Sequence, residues 1–133
     1  MAQLNTQQEF EQVMRDCRDL FLKKLHDYGT AWRVMRPATM TDQLFIKAAR
    51  IRSLQMKGHS EVGEGIIPEF VGIVNYSIIA LIQLSKGVAN AEDISIDEAA
   101  QLYDAEAQKA LQLMLKKNHD YNEAWRDMRV SSY

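Results

Sequence analysis

The chain has 133 residues, 47% hydrophobic and 26% charged, which fits one globular domain and argues against intrinsic disorder. Sixteen Lys and Arg against eighteen Asp and Glu leave a net charge of −2, without the basic surplus expected of a duplex-DNA binder. Cys17 is the only cysteine, which excludes an internal disulfide and a Cys-rich zinc site and points to a reducing, cytoplasmic setting.

The N-terminal stretch MAQLNTQQEF has neither a basic nor an apolar segment of the secretory kind. A first helix is predicted from Thr6, with Glu9 as its capping-box partner, to about His26. Phe10, Val13, Met14, Cys17, Leu20 and Phe21 form its apolar stripe. A short helical turn over Thr30 to Arg36 follows, stopped by Pro37. Thr41 is the expected cap of a second helix, which runs to Lys57 and ends at Gly58.

Pro68 suits the first turn of a third helix that ends at Lys86 before Gly87. Its run IIPEFVGIVNYSIIALIQL is long enough to cross a membrane, but Pro68, Glu69, Asn75 and Gln83 interrupt it and favour a buried core helix. Being apolar nearly all round, it needs cover on every side, and three modest helices leave room for a partner subunit, so a homo-oligomer is expected. Ser95 and Glu98 open a fourth helix to about Lys117, and a last turn covers Glu123 to Arg129. Nothing alternates with period two. The predicted fold is all-α and four-helix-bundle-like, with a short helical turn after the first and fourth helices and no β-sheet.

An internal repeat is the strongest pattern. KKLHDYGTAWRVMR (23–36) and KKNHDYNEAWRDMR (116–129) agree at ten of fourteen positions without a gap. The helices leading into them also correspond, Phe10 with Tyr103 and Leu20 with Leu113. After the first copy come helices two and three; after the second come only Val130 to Tyr133. The sequence therefore leads to the expectation of a single all-α domain, 1–133, whose second repeat unit is truncated.

The repeat concentrates functional residue types: His26, Asp27, Tyr28, Trp32, Arg33 and Arg36, mirrored by His119, Asp120, Tyr121, Trp125, Arg126 and Arg129. An arginine pair spaced by three suits phosphate or carboxylate, and an aromatic nearby can stack on a base. The competing reading anchors Trp32 and Tyr28 in the core, the favoured role for the aromatics, and leaves the arginines solvated.

Lys47 and Arg50 in IKAARIRSL are either a solvated face or a cationic wall for phosphate. The glycine-rich stretch KGHSEVGEGIIPEF brings Glu61, Glu64 and Glu69 to a loop–helix junction, where they can hold Mg²⁺ and activate water, or simply favour the helix dipole. Asn75, on the nearly all-apolar helix, needs buried partners, as a core bridge or a ligand contact. Cys17 sits on the apolar stripe, away from nucleophilic chemistry. No Walker, HExxH or GxSxG motif is present.

HDYGTAWR, TDQLFIKAARIRSLQ, EGI and VNYSIIALIQL together resemble the nucleotide-modification-associated domain family of phages and bacteria, over nearly the whole chain. The resemblance implies a role in nucleotide modification, and its longer members carry both repeat units complete. A more distant likeness is to the all-α nucleoside triphosphate pyrophosphatases of the MazG type. It implies a dimeric bundle holding Mg²⁺ on ExxE and ExxD pairs of adjacent helices. Glu61-x-x-Glu64 has the first spacing; Glu69 is followed by Gly72 where the second pair has aspartate, and helix two carries Lys47 and Arg50.

The resulting expectation is a nucleotide-binding protein linked to nucleotide modification or NTP hydrolysis, with Lys47, Arg50, Arg33 and Arg36 on phosphate and Tyr28 or Trp32 on the base. The alternative is a non-catalytic helical scaffold that dimerises and binds a protein partner.

Overall fold

The computed structural model describes residues 5–57, 65–121 and 123–128. It comprises four α-helices: α1 (Thr6–Tyr28), α2 (Pro37–Lys57), α3 (Ile67–Lys86) and α4 (Ile96–Tyr121). A 3-10 turn follows α1 (Ala31–Val34) and another follows α4 (Ala124–Asp127). No strand occurs among the described residues, so the all-α, four-helix expectation holds.

The helix starts follow capping chemistry, with two corrections. The cap of α1 is Asn5: its side chain accepts from the Gln8 N–H at 2.8 Å, and Gln8 accepts from the Asn5 N–H at 3.1 Å. Thr6 is therefore the first helical residue, and its hydroxyl accepts from Arg126 Nη2 at 2.7 Å. Pro37 begins α2 rather than merely stopping the preceding turn. Its preset φ suits a first helical turn, where a missing N–H costs nothing. Thr41 lies inside α2, and its hydroxyl donates to the Pro37 carbonyl at 3.3 Å.

The start of α4 is as expected, the Glu98 N–H donating to Ser95 Oγ at 3.0 Å. α3 ends at Gly87, whose φ of +83° admits glycine without strain and whose N–H donates to Gln83. The candidate cap Gly58 lies outside the described residues.

The core gathers Phe21 and Leu25 of α1, Trp32, Met40 of α2, Ile78, Ile79 and Ile82 of α3, and Ala99 and Tyr103 of α4. Phe21 and Tyr103 stack with centroids 4.4 Å apart, and Trp32 lies 6.4 Å from Phe21. Val13, placed on the apolar stripe by its spacing, is instead more than half exposed.

α3 contacts all three other helices, most extensively α2. It is long and apolar enough to cross a membrane. Asn75, near its middle, is nevertheless satisfied as in a core helix: its amide donates to the Cys17 carbonyl at 3.0 Å and accepts from the Tyr103 hydroxyl at 2.7 Å. Burial pushes the Tyr103 hydroxyl well above the ordinary tyrosine range and raises the Cys17 thiol as well. Asn75 is thus a core bridge.

α1 and α4 run antiparallel, since Arg18 pairs with Asp104 (2.6 Å) near their middles while Arg126, beyond the end of α4, reaches Glu9 (3.2 Å) at the start of α1. The repeated motif follows the same relation. Arg33, after α1, reaches Asp93, just before α4. Arg126 occupies the corresponding place after α4 and reaches Thr6 and Glu9 at the start of α1. The α2–α3 hairpin inserted between the copies makes the two environments unequal.

Candidate functional site

The two repeated arginines have different fates. Arg33 is 2% exposed. Its Nε and Nη2 donate to the Asp93 carboxylate at 2.8 and 3.3 Å, and its Nη1 to the Gly87 carbonyl at 2.8 Å and to Gln83 Oε1. Gln83 is equally buried and its amide returns hydrogen bonds to the Arg33 and Met35 carbonyls at 2.9 and 2.6 Å. This knot ties the 3-10 turn to the end of α3, and it engages Arg33 in the fold. The Arg33 guanidinium holds the Asp93 carboxyl below the ordinary carboxylate range. Arg126 is 40% exposed and lies 2.8 Å from Glu123.

Sequence residues converge elsewhere. A groove of about 660 Å³ opens between α1 with its 3-10 turn and the α2–α3 pair. Its apolar wall includes Leu20, Leu25, Met35 and Ile79; Tyr28 and Trp32 contribute aromatic surface. Lys24, Lys47, Arg50 and Glu69 are the charged residues lining it among those described.

Glu69 is only 6% exposed, a position a lone carboxylate does not tolerate. Two cations from α2 meet it: Arg50 Nε stands 3.2 Å from Oε1 and Lys47 Nζ stands 3.4 Å from Oε2. The Lys47 contact is an ion pair without aligned hydrogen-bond geometry, so Oε2 makes no hydrogen bond among the described residues. The i, i+3 spacing of Lys47 and Arg50 therefore forms a cationic wall, anchored on a buried carboxylate. Gly72, one turn along α3 from Glu69, makes the approach possible, because a Cβ there would lie 2.9 Å from Lys47 Cε.

Trp32 adds a second polar peculiarity. The ring is 9% exposed, lines the groove, and its Nε1–H has no acceptor among the described residues. A buried donor left unpaired costs about 1–3 kcal/mol, and such groups call for an explanation.

The expected site residues divide accordingly. Tyr28, Trp32, Lys47, Arg50, Glu69 and Asn75 line the groove, Asn75 with its amide already engaged in the core. Trp32 is the core anchor expected, whereas Tyr28 is 75% exposed at the groove, which corrects the core role given to it. His26 and Asp27 pair with each other at 3.4 Å on the exposed surface, as do His119 and Asp120. Those four residues, Arg33, the exposed Arg36 and Arg126 do not line the groove. Glu61 and Glu64, with the neighbouring His59, lie outside the described residues.

Lys24, Gly72 and Tyr76 were missed by the sequence reading. For Lys24 a signal existed: Leu20, Lys24 and Tyr28 recur at i, i+4 on one face of α1. Gly72 was legible only as a missing aspartate.

A comparison with known families concerns this same segment. Residues 24–84 match the family model for nucleotide modification associated domain 1. The match runs from Lys24 in α1 to Leu84 in α3 and so encloses every residue named as lining the groove except Leu20. No curated protein and no solved structure matches the chain. The domain 1 match also covers the first repeat motif from Lys24 onward and stops short of the second.

Proposed function

We propose that the groove between α1 and the α2–α3 pair binds a nucleotide, and that the chain serves nucleotide modification through that binding. The observation that carries the reading is the cationic wall, Lys47 and Arg50 pinned to the buried Glu69, set beside an apolar wall with Tyr28 and Trp32. A phosphate needs several fixed cations, and a base needs aromatic or apolar surface. The groove volume falls within the usual range for small-molecule pockets, about 300–1,000 Å³. The family's description, nucleotide modification associated, points the same way.

The described residues do not fit Mg²⁺. Among them no three His, Cys, Asp or Glu side chains come together, and both oxygens of Glu69 already face cations. Charge repulsion from Lys47 and Arg50 disfavours a divalent ion at Glu69. No reaction step is therefore routed through a metal here, and the reading is one of binding.

The scaffold alternative draws on a different observation. Phe45 and Met56 of α2 are 74% and 81% exposed, an apolar surface on the hairpin. Ile78, in contrast, is 5% exposed within the chain's own core, so a charge placed there probes folding rather than dimerisation. Self-association would use α2 rather than the Ile78 face of α3.

The test is thermal denaturation against a panel of nucleosides and nucleotides, with and without Mg²⁺. A ligand that binds only the folded chain adds about 2.7 kcal/mol at a hundredfold excess over its Kd. A shift for nucleotides that disappears in Lys47→Gln supports the reading; no shift with any nucleotide overturns it.

A further inference from the structure

We infer that the groove selects a ligand with a single phosphate, a nucleoside 5′-monophosphate bound without metal, over the corresponding triphosphate. The inference rests on the nucleotide reading above and adds the phosphate number to it.

Charge balance is the first argument. The described lining carries three cations, Lys24, Lys47 and Arg50, and one anion, Glu69, a net of +2. A phosphomonoester carries about −1.5 to −2 at neutral pH, so one phosphate neutralises the lining. A triphosphate brings surplus negative charge, which nucleotide enzymes ordinarily offset with Mg²⁺. The described residues offer no cluster for that ion.

Reach is the second. Lys47 is not an extended cation able to follow a polyphosphate chain. Its stem lies against Gly72, with Cδ and Cε 3.1 and 2.9 Å from where a Cβ would be, and its ammonium is held 3.4 Å from Glu69. Arg50 meets Glu69 through Nε at 3.2 Å, and its Nη donors make no hydrogen bond among the described residues. The side chain is 58% exposed, so those donors remain available to an oxyanion. Two cations tethered to one carboxylate make a compact anion seat rather than a channel. Glu69 acts here as a positioning residue, holding Lys47 and Arg50 while they face the phosphate.

The rest of the groove accommodates the nucleoside. Its apolar residues and Tyr28 cover a base, and Trp32 adds aromatic surface and an indole N–H that has no acceptor among the described residues.

The experiment is calorimetric titration of the full chain with the nucleoside, the 5′-monophosphate and the 5′-triphosphate of each base, in EDTA and again in Mg²⁺. The expected result in EDTA is a monophosphate at least tenfold tighter than both its nucleoside and its triphosphate, with little change on adding Mg²⁺. Gly72→Ala, which pushes Lys47 off its seat, is expected to weaken the monophosphate severalfold more than it weakens the nucleoside, with circular dichroism reporting an intact fold. Lys47→Gln gives the same selective loss should Gly72→Ala fail to fold. A triphosphate that binds as tightly as the monophosphate in EDTA, or tightly only with Mg²⁺, overturns the single-phosphate inference and leaves the nucleotide reading standing. Absence of binding by every nucleoside and nucleotide removes the nucleotide reading, and this inference with it.

Discussion

Replacing Arg33 by alanine separates the two copies of the repeated motif by their energetics. The substitution removes a guanidinium that is 2% exposed and donates to Asp93, Gln83 and the Gly87 carbonyl. Asp93 is half-exposed and regains water, so its share of the loss is screened. Gln83 is 1% exposed, and its Oε1 is left without a donor, at about 1–3 kcal/mol. The buried aliphatic stem adds about 0.8 kcal/mol for each methylene removed from contact. Together these give a loss of about 3–5 kcal/mol, a large part of the roughly 5–15 kcal/mol that holds a domain folded. Urea denaturation followed by circular dichroism measures it as a lower midpoint at unchanged slope. Arg126→Ala, at the partly exposed copy, is expected to cost clearly less. A loss under about 1 kcal/mol for Arg33→Ala, or equal losses at both sites, would refute the view that Arg33 is a structural knot.

Other outcomes follow from the same geometry. Asp93 has its carboxyl held below the ordinary value by Arg33, so its stabilisation is present above the unfolded carboxylate range and disappears as pH falls through the depressed folded value; the acid limb of a stability–pH curve should flatten in Asp93→Asn. Tyr103→Phe strips the donor from the buried Asn75 oxygen and is expected to lower stability by about 1–3 kcal/mol in chemical denaturation, with α-helical content retained. Gly29→Ala places a side chain at φ +66°, ψ −150°, a region nearly reserved for glycine, and should lower the melting temperature by an amount comparable to about 1–3 kcal/mol. Cys17, 1% exposed with its thiol pushed up by burial, should react with iodoacetamide at neutral pH only after denaturant is added.

Much of the architecture could be read from local chemistry. Helix boundaries at Ser95 and Gly87 follow from capping and glycine, which depend on neighbours a few residues away. The error at Thr41 arose because Pro37, read as a stop, is the first residue of α2; that at Thr6 arose because Asn5 and Thr6 both carry side chains able to cap. There the competition is decided by which hydrogen bonds close, and spacing alone does not rank them.

The candidate site was legible as residue types and not as partnerships. Lys47 with Arg50, Glu69 and Trp32 were each visible in the sequence, yet nothing in their spacing showed that the two cations meet that carboxylate. Arg33 and Arg126 carry the same local motif, and only burial against Gln83 and Asp93 distinguishes them.

The sequence by itself determined the all-α class, the four helices, the repeat and the apolar character of α3, because hydrophobic period, capping and composition act over one or two helical turns. The tertiary structure alone decided which polar groups are buried together and what remains open at the groove. Such pairings join residues tens of positions apart, and desolvation makes each one tolerable only when its distant partner arrives.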